Sequence, residues 1–201
     1  MSIFDRQLEI PKEHLEGKDV LIVGFMDHNQ DRFEKNVERD RGEFAHIRQN
    51  SASYTGIDLA DADYKELREK GFNVYKDDIL TFNKEFEDSF DVVTAVNVLD
   101  HIPDLNSFYE NVKKYLREDG ILIVWDDDLL SLDHGLRRLK GKTPDDDNVF
   151  KLSPNIMRNH ADMYGFEVVE LDYIRPKNQK LDRIVPRRIK NVFFRSFLCV
   201  C

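Results

Sequence analysis

The stretch Phe90-Asp91-Val92-Val93-Thr94-Ala95-Val96-Asn97-Val98-Leu99-Asp100-His101-Ile102-Pro103-Asp104 decides the fold class. Its first seven residues are almost continuously apolar, which suits a parallel strand covered on both faces rather than a strand with one wet side. The run stops at Asn97, and Pro103-Asp104 suits a helix start. From Asp104 to Arg117 the residues Leu105, Phe108, Val112, Tyr115 and Leu116 recur at helical spacing, and Gly120 follows the end. Ile121 to Trp125 is then another apolar run. Strand, helix and strand in this order are the repeating unit of a layered α/β fold.

The same alternation extends outward in both directions. Asp19 to Phe25, Ser53 to Ile57 and Phe72 to Lys76 read as three earlier strands, and Asp61 to Lys70 reads as a helix closed by Gly71. Ser153-Pro154 is a good N-cap and first-turn pair for a helix running to about Tyr164 before Gly165. Phe166 to Ile174 and Val192 to Val200 are strands with no convincing long helix between them, which points to an antiparallel pair. The expected architecture is a doubly wound α/β sheet of five parallel strands with crossover helices, followed by a hairpin that returns into the sheet. No linker, repeat or low-complexity tract interrupts it, so residues 1–201 read as one domain.

Composition agrees with a folded, water-soluble chain. Leu, Ile, Val and Phe make up 62 of 201 residues, enough to assemble a core. The net charge of −9 argues against non-specific affinity for nucleic acid or an anionic membrane by the whole surface. The charge is uneven, however: Ile174 to Arg195 holds eight bases and one acid, so that segment is +7 and the remainder −16. No apolar run is long enough to span a bilayer, and the first residues have no secretory pattern. The two cysteines, Cys199 and Cys201, cannot make a disulfide framework, and a cytoplasmic setting is expected. A lipidated terminal Cys-x-Cys is disfavoured because the preceding residues read as a strand.

In an open α/β sheet, ligands bind beyond the carboxyl ends of the strands. There the chain places Gly24-Phe25-Met26-Asp27-His28, Asp58-Leu59, Asp77-Asp78, Asn97 to His101, and Asp126-Asp127-Asp128. A carboxylate ending the second strand can accept both hydroxyls of a ribose, and a polar pair ending the third can accept from an adenine amino group. Each is weak by itself, since Asp is also a common turn residue.

With these residues in place, the chain resembles the class I S-adenosylmethionine-dependent methyltransferases. Phe90 to Asp104 and Leu116-Arg117-Glu118-Asp119-Gly120-Ile121-Leu122-Ile123-Val124 are similar to that family's fourth and fifth strand motifs. Tyr54-Thr55-Gly56-Ile57-Asp58-Leu59 resembles its acidic second-strand motif, and Leu152-Ser153-Pro154 through Gly165-Phe166-Glu167-Val168-Val169 the helix leading into its sixth strand. The resemblance covers nearly the whole chain from Asp19 onward. It implies a seven-stranded, Rossmann-like sheet in the order 3-2-1-4-5-7-6 with the seventh strand antiparallel and helices on both faces. It also implies S-adenosylmethionine as cofactor, held by Gly24, Phe25, Asp58, Leu59, Asp77, Asp78 and Asn97. The first loop departs from the family pattern, retaining only Gly24 where a Gly-x-Gly is usual. Asp27 or His28 would then meet the methionine end of the cofactor. The long Gly24 to Asp58 spacing implies an insertion near Arg39 to Ser53.

The expected activity is methyl transfer to a small acceptor. His101 is the candidate proton acceptor, against the alternative that it packs or caps the next helix. Arg187 and Arg188, in the basic segment, are candidate contacts for an anionic acceptor, against a solvated hairpin surface or a membrane-facing patch. Metal binding by Asp126-Asp127-Asp128 with Asp133 and His134 is disfavoured because consecutive side chains diverge, and Asp145-Asp146-Asp147 reads as an exposed loop. Two rival readings are a non-catalytic scaffold of the same fold that binds a nucleotide or a protein partner, and a nicotinamide-dependent dehydrogenase. The dehydrogenase lacks its Gly-x-Gly-x-x-Gly turn.

Overall fold

A five-residue apolar strand, β1 (Asp19–Val23), anchors the sheet: Val20, Leu21 and Ile22 are fully buried. The computed structural model describes residues 10–26, 29–127, 152–174 and 196–201. After β1 come α1 (Gln30–Glu38), α2 (Gly42–Asn50), β2 (Ser53–Asp58), α3 (Tyr64–Glu69), β3 (Val74–Lys76) and β4 (Phe90–Val96). They are followed by α4 (Leu105–Tyr115), β5 (Leu116–Asp127), a helix Pro154–Tyr164 that we label α5, β6 (Glu170–Ile174) and β7 (Ser196–Val200). Seven strands form one sheet in the order β3-β2-β1-β4-β5-β7-β6. β1 is parallel to β2 and β4, β2 is parallel to β3, and β7 is antiparallel to β5 and β6. This is the order that the family resemblance implied.

By contacts the chain divides into two compact units, Met1–Val96 with Asp104–Leu122, and Asn97–Pro103 with Ile123–Cys201. In the first, the insertion expected near Arg39 to Ser53 coincides with one helix, α2, which follows α1 directly. Asp40 and Gly42 adopt positive φ of 51° and 84°, a conformation that stops α1 and lets α2 begin. Phe33 of α1 and Phe44 of α2 turn inward and pack edge-on at 4.8 Å. Asn29, Asp63 and Asp104 cap α1, α3 and α4 by accepting backbone N–H groups of the first turn. The helix expected over residues 104–117 is Leu105–Tyr115, and β5 follows with no intervening linker, five residues earlier than the apolar run predicted. Its early residues are polar, and Asp119 takes a positive φ of 64° there.

In the second unit, the sequence signals for α5 are realised: Ser153 accepts from the Ile156 N–H, Pro154 opens the helix, and Gly165 closes it at φ 71°. β7 lies between β5 and β6, with Cys199 in register with Val124 on one side and Leu171 on the other. The strands expected at 166–174 and 192–200 are Glu170–Ile174 and Ser196–Val200. No described helix is long and apolar enough to cross a membrane.

Candidate functional site

In the first unit, the carboxyl ends of β1, β2 and β3 are tied into one row. Gly24, at φ 70°, turns the chain off β1 while its N–H still donates to the Ile57 carbonyl at 2.9 Å. The next side chain, Phe25, goes into the core, with ring centroids 5.1 Å from Phe33, 5.5 Å from Phe44 and 6.3 Å from Tyr64. Its place depends on Gly56 of β2, where a β-carbon would lie 2.9 Å from Phe25 Cδ1 and 3.0 Å from Val74 Cγ1. With the ring buried, only the backbone of Phe25 lines the turn.

Asp58 ends β2 and fastens both neighbouring loops. Its Oδ2 accepts from the Met26 N–H and its Oδ1 from the Ala60 N–H, each at 2.8 Å. A carboxylate offers about four acceptor positions, so each oxygen keeps one for a further donor. The Tyr64 hydroxyl donates to the Asp58 and Ala60 carbonyls, at 2.9 and 3.0 Å, which fixes the turn from below. Burial, then the charges of Asp58 and Asp61, push that phenol well above its usual range. Leu59 projects outward and is 60% exposed.

Asp77 continues the row from the end of β3, its N–H donating to the Asp58 carbonyl at 3.2 Å. Its side chain accepts from the Asp78 N–H at 2.8 Å and from Asn83 Nδ2 at 2.7 Å. Asp78 in turn accepts from the Leu80 N–H at 2.9 Å. This loop is held by α4: buried Asn111 donates to the Ile79 carbonyl at 2.9 Å, and the Tyr115 hydroxyl accepts from the Asn83 N–H at 2.7 Å while donating to the Thr81 carbonyl at 3.2 Å. Burial raises the Tyr115 phenol, and the charges of Asp77 and Asp78 add to this. Asn83, Asn111 and Tyr115 were not among the expected site residues. One signal was available: Asn111 is a polar residue on the stripe of Phe108, Val112 and Tyr115, where only a bonded amide is tolerated. Three half-buried carboxylates, Asp58, Asp77 and Asp78, thus end β2 and β3 with backbone-fixed orientations. Such a row accepts paired hydroxyls or an amine and favours a cationic ligand.

Asn97 and His101 belong to the second unit. Asn97 takes a positive φ of 51°, which Asn tolerates better than most residues, and its N–H donates to the Trp125 carbonyl at 2.8 Å. A short 3-10 turn, Leu99–His101, follows, with Leu99 and Asp100 buried. His101 leaves its imidazole half exposed, Nε2 lying 3.5 Å from Asp100 Oδ1. That carboxylate can orient the ring. Asp126 is buried near the end of β5. Asp27, His28, Asp128, Asp133, His134, Asp145, Asp146, Asp147, Arg187 and Arg188 lie outside the described residues. Among the described residues, no group of three or more His, Cys, Asp or Glu side chains is placed to hold a metal ion.

A family model described as a methyltransferase domain matches residues 42–122. No curated protein sequence matches the chain. Solved structures of the same fold include an S-adenosylmethionine-dependent methyltransferase from Archaeoglobus fulgidus, at 13% identity and TM-score 0.59, covering 92% of this chain and 85% of that one. Another is the complex between the Haloferax volcanii Trm112 methyltransferase activator and a methyltransferase, at 14% identity and TM-score 0.62, with coverages of 92% and 82%. A third, the Burkholderia thailandensis 1,6-didemethyltoxoflavin-N1-methyltransferase with bound 1,6-didemethyltoxoflavin and S-adenosylhomocysteine, has 12% identity and TM-score 0.59, with coverages of 92% and 70%. Strand order and antiparallel β7 are thus those of the fold these methyltransferase structures share, and residues 42–122 within it match the methyltransferase domain model.

Proposed function

We propose that the chain binds S-adenosylmethionine and transfers its methyl group to a small acceptor, with Asp58 as the principal cofactor anchor. The observation that carries this reading is the state of Asp58: each oxygen is fixed by one backbone N–H and keeps acceptor capacity, as a ribose diol requires. The single glycine of the first loop is no obstacle, because the Phe25 ring is packed into the core and leaves backbone at the turn. Asp77 and Asp78 would accept from the adenine amino group, Leu59 would offer an apolar contact, and Gly24 and Asn97 would line the approach with backbone and amide. When bound, the cofactor supplies the electrophilic methyl and its own leaving group. The chain's own tasks are to orient the acceptor and to take its proton, which we give to the half-exposed His101 backed by Asp100. Arg187 and Arg188 would hold an anionic acceptor. The free thiols Cys199 and Cys201 fit a reducing, cytoplasmic setting.

Calorimetry with S-adenosylhomocysteine tests the cofactor half. The native chain should bind it and gain thermal protection. Asp58→Ala, losing a charged acceptor worth about 1.5–3 kcal/mol, should weaken binding by roughly ten- to a hundredfold. His101→Ala should leave that affinity unchanged. A native chain with neither binding heat nor thermal protection would remove the reading and favour the non-catalytic scaffold.

A further inference from the structure

Cys199 and Cys201 are the chain's only cysteines, and methyl transfer uses neither. Residues two apart on a strand share a face. Here their reduced sulfurs lie in contact, with Sγ to Sγ at 3.2 Å. Cys199 is fully buried within β7, whereas Cys201 is 8% exposed. Cys201 also lies one position past Val200, the last residue paired with β5 or β6. The two sulfurs share one hydrogen-bond contact, and Arg158 of α5 adds a positive charge. Together they hold the Cys199 thiol below its usual range, while that contact and burial push Cys201 up. Of the two sulfurs, Cys199 is therefore the more readily deprotonated.

We propose that Cys199 and Cys201 form a reversible modification site, a dithiol that hydrogen peroxide converts to an intrachain disulfide. The Cys199 thiolate attacks one peroxide oxygen, the O–O bond breaks, and hydroxide leaves, giving a sulfenic acid. The Cys201 sulfur then attacks the oxidised sulfur. The S–S bond forms, the S–O bond breaks, and the hydroxyl leaves with the thiol proton as water. In sum, two thiols are oxidised and one peroxide is reduced to two waters. Two strand steps separate the α-carbons by about 6.6–7 Å, at the upper limit for a disulfide, so closure must draw Cys201 inward. Because Cys201 is past the ladder, that movement breaks no inter-strand pair. A bond closed across so short a loop is strained and readily reduced, which makes it reversible rather than structural.

The test is hydrogen peroxide treatment of the reduced full chain, quenched with iodoacetamide and read by intact mass and peptide mapping. The native chain should lose two hydrogens, take up no alkyl group, link both cysteines in one peptide, and recover with dithiothreitol. Cys201→Ser should instead accumulate a dimedone-reactive sulfenic acid at Cys199, and Cys199→Ser should oxidise about tenfold more slowly. Two wild-type results, independent of how the variants fold, would overturn the proposal: full alkylation of both thiols after oxidant, or links between chains in place of the internal one.

Discussion

Replacing Glu43 with glutamine should flatten the dependence of stability on pH between about 5 and 8. Glu43 sits in the first turn of α2, hydrogen-bonded with Thr94 of β4, which is itself fully buried. Its Oε1 is out of contact with solvent and has no hydrogen-bond partner. Burial pushes the carboxyl from 4.5 up to about 8, offset only in part by Thr94. Between those values the native chain keeps a proton that the unfolded chain releases, so stability is complete below the lower value and falls as pH rises toward the upper one. The slope is about 1.4 kcal/mol per pH unit, giving about 5 kcal/mol across the window and about 3 kcal/mol at pH 7. Asp19, Glu34 and Asp104 are held below their ordinary range and so titrate under the window, while Tyr64 and Lys70 titrate above it. His160, lowered by burial, is common to both chains and cancels in the difference. Urea unfolding followed by far-ultraviolet circular dichroism should show Glu43→Gln more stable by about 3 kcal/mol at pH 7 and nearly equal to the native chain at pH 5. Parallel pH profiles for the two would refute the assignment of a buried neutral acid.

Gly56→Ala should cost about 1–3 kcal/mol by urea titration, because its β-carbon would meet the Phe25 ring and Val74; adding Phe25→Leu should recover part of it, and strict additivity would disprove the contact. Asn111→Ala strands the buried Ile79 carbonyl and should cost about 1–3 kcal/mol; it should also loosen the Asp77–Asn83 loop enough to weaken S-adenosylhomocysteine binding measurably, and unchanged affinity would separate that loop from the site. Arg187→Gln with Arg188→Gln should weaken acceptor binding while sparing S-adenosylhomocysteine. Equal loss of both, or of neither, in paired calorimetric titrations would count against an acceptor role for the basic segment.

The sheet was legible because its signals are redundant. Val20 to Val23 and Val92 to Val96 are buried on both faces, so their apolar runs admit few readings, and α4 and α5 carry an N-cap and a periodic stripe in sequence. Asp58, Asp77 and Asp78 were legible for another reason: strand ends fix where a side chain can go, whatever the loops beyond them do. The residues that orient the Asp77–Asn83 loop were not, since Asn83, Asn111 and Tyr115 act through contacts 32 to 34 positions apart that no local pattern announces. Glu43 was hidden by the same cause, its neighbour Thr94 being on β4, far along the chain from α2. The helix pair between β1 and β2 was detectable only as excess length, because the break at Asp40 and Gly42 divides what could otherwise be one amphipathic run.

The first loop shows how a missing motif residue can be offset elsewhere. A second glycine after Gly24 would remove a β-carbon from the turn; here Phe25 keeps its side chain but sends it away, into the cluster of Phe33, Phe44 and Tyr64. That route is open only because Gly56, across the sheet on β2, leaves the space. The freed turn then brings the Met26 N–H to Asp58, so the acid at the end of β2 organises the single-glycine loop. The steric need for glycine falls at Gly56, on the neighbouring strand. Gly56→Ala should therefore do more than destabilise: by displacing Phe25 it should disturb the Met26 to Asp58 bond and lower cofactor affinity. An alanine at Gly17, a turn where a β-carbon meets nothing within 4 Å, should cost stability through backbone strain but leave cofactor affinity unchanged. If both substitutions lowered affinity in proportion to stability alone, this coupling between β2 and the loop would not exist.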